Sequence, residues 1–278
     1  MTTSLPGSPR LQRASGESRV AFAVRTGETR LADLYQRDPC RVLFPDSERG
    51  EPPQAVLVTT SGGVAGGDRL RMEVAVGSGA QAVVATQAAE KIYRAAPGSD
   101  PCRIDVSITV EAGAVLDWLP QETIAFQGAR LVRRTVAEVA AGGSLLGCEM
   151  VVFGRGASGE RFVSGLLLDS WSVRRAGRLA WTDTLRVEGE TPDGAGFGAA
   201  NALATVIGVW DTPEPHFERA RALLDDAGQA RPDVRAGVTL VNGVLVARLL
   251  GEATAVRAAA IDFLTTFRGR RLPRVWHV

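Results

Sequence analysis

The sequence E-V-A-V-G-S-G-A at residues 73–80 decides the fold, because the chain repeats its pattern twice more. Both further copies join an alternating strand to a glycine turn: S-I-T-V-E-A-G-A at 107–114 and A-E-V-A-A-G-G-S at 137–144. A second apolar stretch follows each copy, at 81–86, 115–119 and 145–152. The turn glycines Gly79, Gly113 and Gly143 recur at roughly 30–34 residues, a period typical of stacked repeats.

The repeated stretches predict strands rather than helices, because they are rich in Val, Ile and Thr and alternate with period two. We therefore expect residues 20–190 to form successive β-layers, either solenoid-like or as a two-sheet sandwich without regular winding. Asn242-Gly243 between apolar stretches predicts a further hairpin. Helical spacing and start signals predict helices at 214–227 and 254–267. The predicted fold is mainly β, with stacked layers and two helices in the C-terminal part.

Composition predicts where the domain begins and which partners the protein lacks. Residues 1–19 are polar and lack the apolar segment of a signal peptide, so we expect a flexible arm before one domain at 20–278. A net charge of +1 gives no electrostatic footprint for nucleic acid, and no apolar stretch reaches the length of a membrane span. Three widely separated cysteines point to a reducing cytoplasm.

The glycine-rich sequence T-S-G-G-V-A-G-G-D at 60–68 follows a predicted strand and resembles a phosphate-binding loop only superficially. A P-loop needs a lysine after its last glycine, whereas Asp68 follows Gly67 here. The weak dinucleotide motif at 77–82 leads into another strand and offers no helix N-terminus to a pyrophosphate. Two alternatives remain for residues 60–68: a polar loop built for a contact, and a tight loop without a ligand.

Polar residues at the ends of repeated strands are the best candidates for a site, since His216 and His277 are the only histidines. Gln87 and Gln121 each lie eight residues after a repeat glycine, so they form either a glutamine ladder or part of a polar groove or tunnel. The candidate groove residues are Thr60, Ser61, Asp68, Thr86, Gln87, Gln121 and Glu122. The candidate oxygen ligands for a weakly held metal ion are Asp68, Glu122 and Glu149.

Four sequence blocks together resemble the urease accessory protein family UreD, called UreH in some organisms. They are T-S-G-G-V-A-G-G-D at 60–68, T-Q-A-A-E-K-I-Y-R at 86–94, L-D-W-L-P-Q-E-T-I-A-F at 116–126 and L-P-R-V-W at 272–276. The blocks occur in the family's order, and the resemblance extends from about residue 20 to the C-terminus.

The resemblance implies a mostly β cytoplasmic scaffold that is not an enzyme. Such a scaffold binds the urease apoprotein and acts with UreF and the GTPase UreG to insert nickel into urease. GTP hydrolysis would belong to UreG, which agrees with the failed P-loop match. No tightly bound cofactor is implied; nickel would pass transiently through an internal tunnel, which would give the polar groove residues and the oxygen ligands a role.

Two other classes of function stay open at this point. A β-solenoid carbohydrate-active or carbohydrate-binding protein would show paired carboxylates or an aromatic platform, whereas the five tryptophans here are scattered. A nucleotide-dependent oxidoreductase would need a better dinucleotide motif than residues 77–82 provide.

Overall fold

The computed structural model describes residues 12–47, 50–189 and 196–277, whose strands form two stacked sheets. In chain order the strands are β1 (Ser15–Arg25), β2 (Glu28–Arg37), β3 (Cys40–Leu43), β4 (Gln54–Thr59), β5 (Arg69–Val76), β6 (Gln81–Thr86), β7 (Glu90–Ile92), β8 (Cys102–Val110), β9 (Val115–Leu119), β10 (Thr123–Ala125), β11 (Arg130–Val139), β12 (Ser144–Phe153), β13 (Leu166–Arg175), β14 (Arg178–Glu188), β15 (Ala202–Val209), β16 (Arg235–Val241) and β17 (Val244–Gly251). The helices are α1 (Glu214–Ala230) and α2 (Ala253–Arg268), so both predicted helices are confirmed.

The central part of the chain winds as a solenoid, because the main strands from β5 to β13 alternate between the two sheets, with the short strands β7 and β10 added to the second. The first sheet has the order β14-β13-β11-β8-β5-β1-β2, and the main path of the second is β16-β17-β15-β12-β9-β6-β4-β3. The inner strands of each sheet pair in parallel: β1, β5, β8, β11 and β13 in the first, and β4, β6, β9 and β12 in the second. The prediction of stacked β-layers is confirmed, in its solenoid-like form.

The repeated glycine turns stack on one another and fix the position of each tier. Gly79 and Gly113 have φ of +70°, and Gly113 N donates to Gly142 O at 3.0 Å. The glycine of the third turn that corresponds to Gly79 and Gly113 is therefore Gly142, with φ of +78°, one residue before the Gly143 that the repeat alignment placed there. The repeat alignment matched Gly113 with Gly143 instead of Gly142 because either glycine of the pair Gly142-Gly143 can be matched to it.

Gly143 is required for a different reason, namely the close approach of two tiers. A Cβ at Gly143 would lie 2.8 Å from Glu111 O and 3.1 Å from Ala140 O, closer than carbon and oxygen can pack.

Two apolar layers hold the fold together. Inward residues of both sheets fill the first layer, while the other face of the second sheet packs on α1 and α2. β12 is consequently buried on both faces, and nine of its ten residues are in the buried class. No helix within the described ranges is long and apolar enough to span a membrane.

The N-terminal boundary differs from the expected one. Residues 1–11 of the expected arm lie outside the described residues, and β1 begins at Ser15, inside the range 1–19. Gly16 packs against Cys40 and Leu70, and Ser18 is 1% exposed. Small and polar residues therefore form the first half of β1, and their composition concealed the strand.

Substituting Gly143 by alanine should lower the free energy of unfolding by about 1–3 kcal/mol, because the added methyl group meets backbone oxygens that cannot move independently. Gly237→Ala is the matched control: Gly237 lies in β16 with open space at its Cβ position, so its effect should stay below about 0.5 kcal/mol. Chemical denaturation measures both. Equal stability of the two variants would contradict the proposed contact between tiers.

Candidate functional site

A charged cluster interrupts the apolar layer between the sheets. Arg133 on β11 is in register with Asp169 on β13, and its guanidinium donates to that carboxylate from Nε at 2.9 Å and from Nη2 at 2.5 Å. Nη2 also lies 3.1 Å from Glu149 Oε2, on β12 of the opposite sheet. All three side chains are at most 9% exposed. One buried cation thus joins two buried carboxylates across the two sheets.

Neutral side chains complete the hydrogen bonds of this cluster. Thr123 Oγ1 accepts from Arg133 Nη1 at 2.9 Å, and Trp171 Nε1 donates to Glu149 Oε2 at 2.7 Å. Thr135 Oγ1 donates to Glu149 Oε1 at 3.3 Å. Charged groups can remain in an apolar interior when their polar atoms have hydrogen-bond partners.

The cluster favours an additional positive charge near Glu149. Burial raises the pKa of the Glu149 carboxyl; Arg133 opposes this shift, and the like charge of Asp169 adds to it. Burial alone would lower the pKa of Arg133, but Asp169 and Glu149 raise it above its ordinary value, so the guanidinium stays charged. With both carboxylates ionised the three groups carry one net negative charge. A proton or a metal cation at Glu149 would neutralise it.

A cavity of about 40 Å³ lies beside the cluster, large enough for about one water molecule. Trp118 Nε1 is buried and has no hydrogen-bond partner among the described residues. Burial raises the pKa of Glu90 to about 6, although the Thr59 hydroxyl, which donates to it at 2.8 Å, opposes the shift. The polar lining comprises Thr86, Glu90, Trp118, Gln121, Thr123, Arg133 and Glu149.

A second and larger pocket, of about 260 Å³, reaches the same cluster from the edge of the sheets. Glu149, Asp169 and Trp171 form its inner wall. An ion pair between Arg248 and Asp183, 2.5 Å apart, lies in its outer wall. Glu149 lines both this pocket and the smaller cavity, so its carboxylate is shared by the two.

The predicted residues Gln121 and Glu122 hold the C-terminal segment. Arg257 Nη1 on α2 donates to Gln121 Oε1 at 2.8 Å and to Glu122 Oε2 at 2.7 Å, and the guanidinium lies 5.2 Å from the centre of the Trp276 ring. The Trp276 indole donates to Leu119 O at 3.0 Å. The block at 116–126 therefore packs directly against the block at 272–276.

The two glutamines at equivalent positions do not form a ladder. Gln87 is exposed, whereas Gln121 is 5% exposed and donates from Nε2 to Val275 O at 2.8 Å. The Gln121 backbone amide donates to Thr86 Oγ1 at 2.8 Å. The environments of Gln87 and Gln121 differ, although their positions in the repeat are equivalent, because only Gln121 contacts the C-terminal segment.

The glycine loop at 60–68 makes its contacts within the chain. Asp68 is 7% exposed, and its carboxylate accepts from the backbone amides of Ala14 and Ala65, both at 2.8 Å. A Cβ at Gly63 would lie 2.5 Å from the Tyr93 ring. The missing side chains of the loop thus let the segment after β7 approach closely.

The structure brings together some of the predicted site residues and adds others. Thr86 and Gln121 line the smaller cavity together with Glu149. The other predicted groove residues do not line it: Thr60, Ser61, Gln87, Asp68 and Glu122. Within residues 12–47, 50–189 and 196–277, no three His, Cys, Asp or Glu side chains gather as a metal site. Sequence reasoning missed Glu90, Arg133 and Asp169. The sequence did contain a signal for Arg133: it occupies an inward position of an alternating strand, which indicates a buried charge.

Comparison with known proteins covers nearly the whole chain. The family model described as UreD urease accessory protein matches residues 14–277. A urease accessory protein UreD of Magnetococcus marinus is 40% identical over 277 residues, covering 96% of this chain and 95% of the relative. The UreD of Azorhizobium caulinodans is 42% identical, covering 98% and 99%. UreD 1 of Methylobacterium radiotolerans is 44% identical, covering 98% and 95%.

Arg133→Met should lower the free energy of unfolding by about 3–5 kcal/mol, because it leaves two carboxylates buried without their cation. Arg134→Met, the adjacent exposed position on the same strand, should change it by less than about 0.5 kcal/mol. Replacing Arg133, Glu149 and Asp169 together by Met and Leu should recover most of the loss. Chemical denaturation of the three variants tests this, and an Arg133→Met protein as stable as Arg134→Met would refute it.

Glu90→Gln should become more stable relative to the wild type as pH rises from 4.5 through 6. The folded protein holds the Glu90 proton more tightly than the unfolded chain, so this stabilising contribution is complete below pH 4.5 and is lost above pH 6. The difference should reach up to about 2 kcal/mol. Urea denaturation across this pH range measures it, and parallel stability curves for the two proteins would contradict the assignment.

Proposed function

The chain belongs to the UreD family of urease accessory proteins and so acts in urease maturation, and we propose that it serves as a scaffold through which nickel reaches apo-urease. Nickel is here the cargo, and the scaffold itself makes and breaks no covalent bond. The observation that carries this proposal is the position of Glu149, a buried carboxylate shared by two cavities.

The chemistry around Glu149 suits a cation in transit. Oxygen donors bind a borderline ion such as nickel weakly, and a weak site releases its ion readily. The net negative charge of the cluster attracts a cation, while the Arg133 guanidinium, which ion-pairs with both carboxylates, limits how tightly one is held. All three predicted oxygen ligands have hydrogen-bond partners in the chain, but only Glu149 lines both cavities, so it is the best placed of the three.

Exposed apolar residues support a role in holding other proteins. Leu31, Leu34 and Tyr35 on the edge strand β2 are 38–41% exposed, and Leu43 and Phe44 are 52% and 41% exposed. Edge strands and apolar patches are typical protein-binding features. The proposed partners are the urease apoprotein, UreF and the GTPase UreG, in the cytoplasm. The three cysteines are free and buried, which fits that reducing compartment.

A carbohydrate-active protein would also place carboxylates among aromatic side chains, as the 260 Å³ pocket does with Glu149, Asp169, Trp171 and Trp181. Two features argue against this alternative. Arg133 ion-pairs with both carboxylates, so neither is free to exchange a proton with a sugar. The family is also one of accessory proteins.

Glu149→Gln should reduce urease activation about tenfold. The loss of a carboxylate at or beside a metal site typically weakens metal affinity by that factor or more. The assay restores a strain lacking this gene with the wild type or a variant, then measures urease activity and the nickel content of purified urease. Glu138→Gln, on the outer face of the neighbouring strand β11, is the matched control and should activate normally.

Co-purification separates the nickel route from the scaffold role. Glu149→Gln should still co-purify with UreF and the urease apoprotein, since the Glu149 side chain is only 5% exposed and can contribute little to a protein contact. Normal nickel content with this variant would refute the route through Glu149. A wild-type chain that binds neither partner would refute the scaffold itself.

A further inference from the structure

Two arginines lie side by side on the exposed face of the first sheet without an acidic partner. Arg69 on β5 and Arg103 on β8 are in register across neighbouring parallel strands, and both are exposed. No side-chain hydrogen bond or ion pair joins either of them to another residue of the described ranges. Like charges directly opposite each other destabilise a sheet, so this pair costs stability in the isolated chain.

One acid and one further arginine lie next to this pair, and the acid, Asp68, is buried with its carboxylate bonded to the backbone amides of Ala14 and Ala65. In the same row, the flanking strands contribute the uncharged residues Ser15 and Val132. The Arg13 side chain packs over Gly67, with Nε 3.1 Å from the position a Cβ would occupy, two residues before Arg69.

The next two rows of the sheet do contain acids, but arginines of the same rows accompany them. Asp105 lies in register between Arg71 and Arg134. Glu73 forms ion pairs with Arg71 at 2.9 Å and with Arg19 at 3.0 Å. The excess positive charge is therefore local to Arg13, Arg69 and Arg103, a set we name the arginine patch.

We infer that the arginine patch binds a carboxylate-rich segment of a partner polypeptide. Guanidinium groups recognise carboxylates through paired, charge-assisted hydrogen bonds, and a carboxylate between Arg69 and Arg103 would remove their repulsion. Acids at Glu73 and Asp105 border the patch, and the chain carries a net charge of only +1, so a long polyanion such as nucleic acid fits it poorly. This inference is independent of the nickel route, because it concerns the opposite face of the sheet.

Reversing the charges of both Arg69 and Arg103 tests the inference, because the two side chains still repel each other but no longer attract a carboxylate. The wild-type chain should bind a synthetic glutamate-serine peptide, with affinity falling as salt rises. Arg69→Glu/Arg103→Glu should lose that binding by at least about tenfold and should instead bind a lysine-serine peptide. Arg178→Glu, an exposed arginine of β14, makes a single reversal outside the patch and should bind the acidic peptide like the wild type.

The neutral variant Arg69→Gln/Arg103→Gln gives an independent readout. It should bind neither peptide, yet melt at or above the wild-type temperature, because a purely structural role for the arginines would lower that temperature. Fluorescence anisotropy and thermal denaturation of the full chain provide both measurements. Absence of binding to the acidic peptide, equal loss in Arg178→Glu, or tighter binding of a single-stranded DNA oligonucleotide would each overturn the inference.

Discussion

The register between successive tiers is the constraint on which the other features of this structure depend. Val76, Val110 and Val139 are paired across β5, β8 and β11, and the glycine turns that follow them stack by backbone hydrogen bonds. Because side chains alternate with period two along a strand, a slip of one residue would turn every inward side chain outward. The same register places Arg133 beside Asp169 inside the sheets and Arg69 beside Arg103 outside them.

The interior cluster is a compromise between desolvation and pairing. Burying three charges is unfavourable, and apolar side chains of similar volume would often stabilise a core more. The cost is limited here because Arg133 has a partner at each of its nitrogens and Glu149 accepts from Trp171 and Thr135. With both carboxylates ionised the cluster carries a net negative charge, and two cavities flank it, which agrees with the proposed passage of a cation.

Contacts between segments far apart in sequence hold α2 and the C-terminal segment against the outer face of the second sheet. Asp117 accepts from Arg268 at 2.8 Å and from Arg270 at 2.7 Å, while Arg257 joins the Gln121-Glu122 pair to the C-terminal Trp276. These contacts seal one face of the solenoid with α2 and the C-terminal segment. Among the residues that the structure describes, none covers the edge at β2 in a comparable way, and its apolar residues are exposed. The molecule is thus closed on its helical side and open at the edge where we propose docking.

The sequence by itself determined the layered β architecture, the two C-terminal helices and the family, because strand alternation, glycine turns and helix caps are local signals. It also identified Thr86 and Gln121 as polar residues near strand ends, and Glu149 as a candidate oxygen ligand. Only the tertiary structure decided what surrounds them. Whether a carboxylate meets a guanidinium, a backbone amide or a cavity depends on strands that lie in register but are tens of residues apart. Asp68 and Glu149 are both buried acids, yet only the fold caps one with amides and sets the other between two cavities.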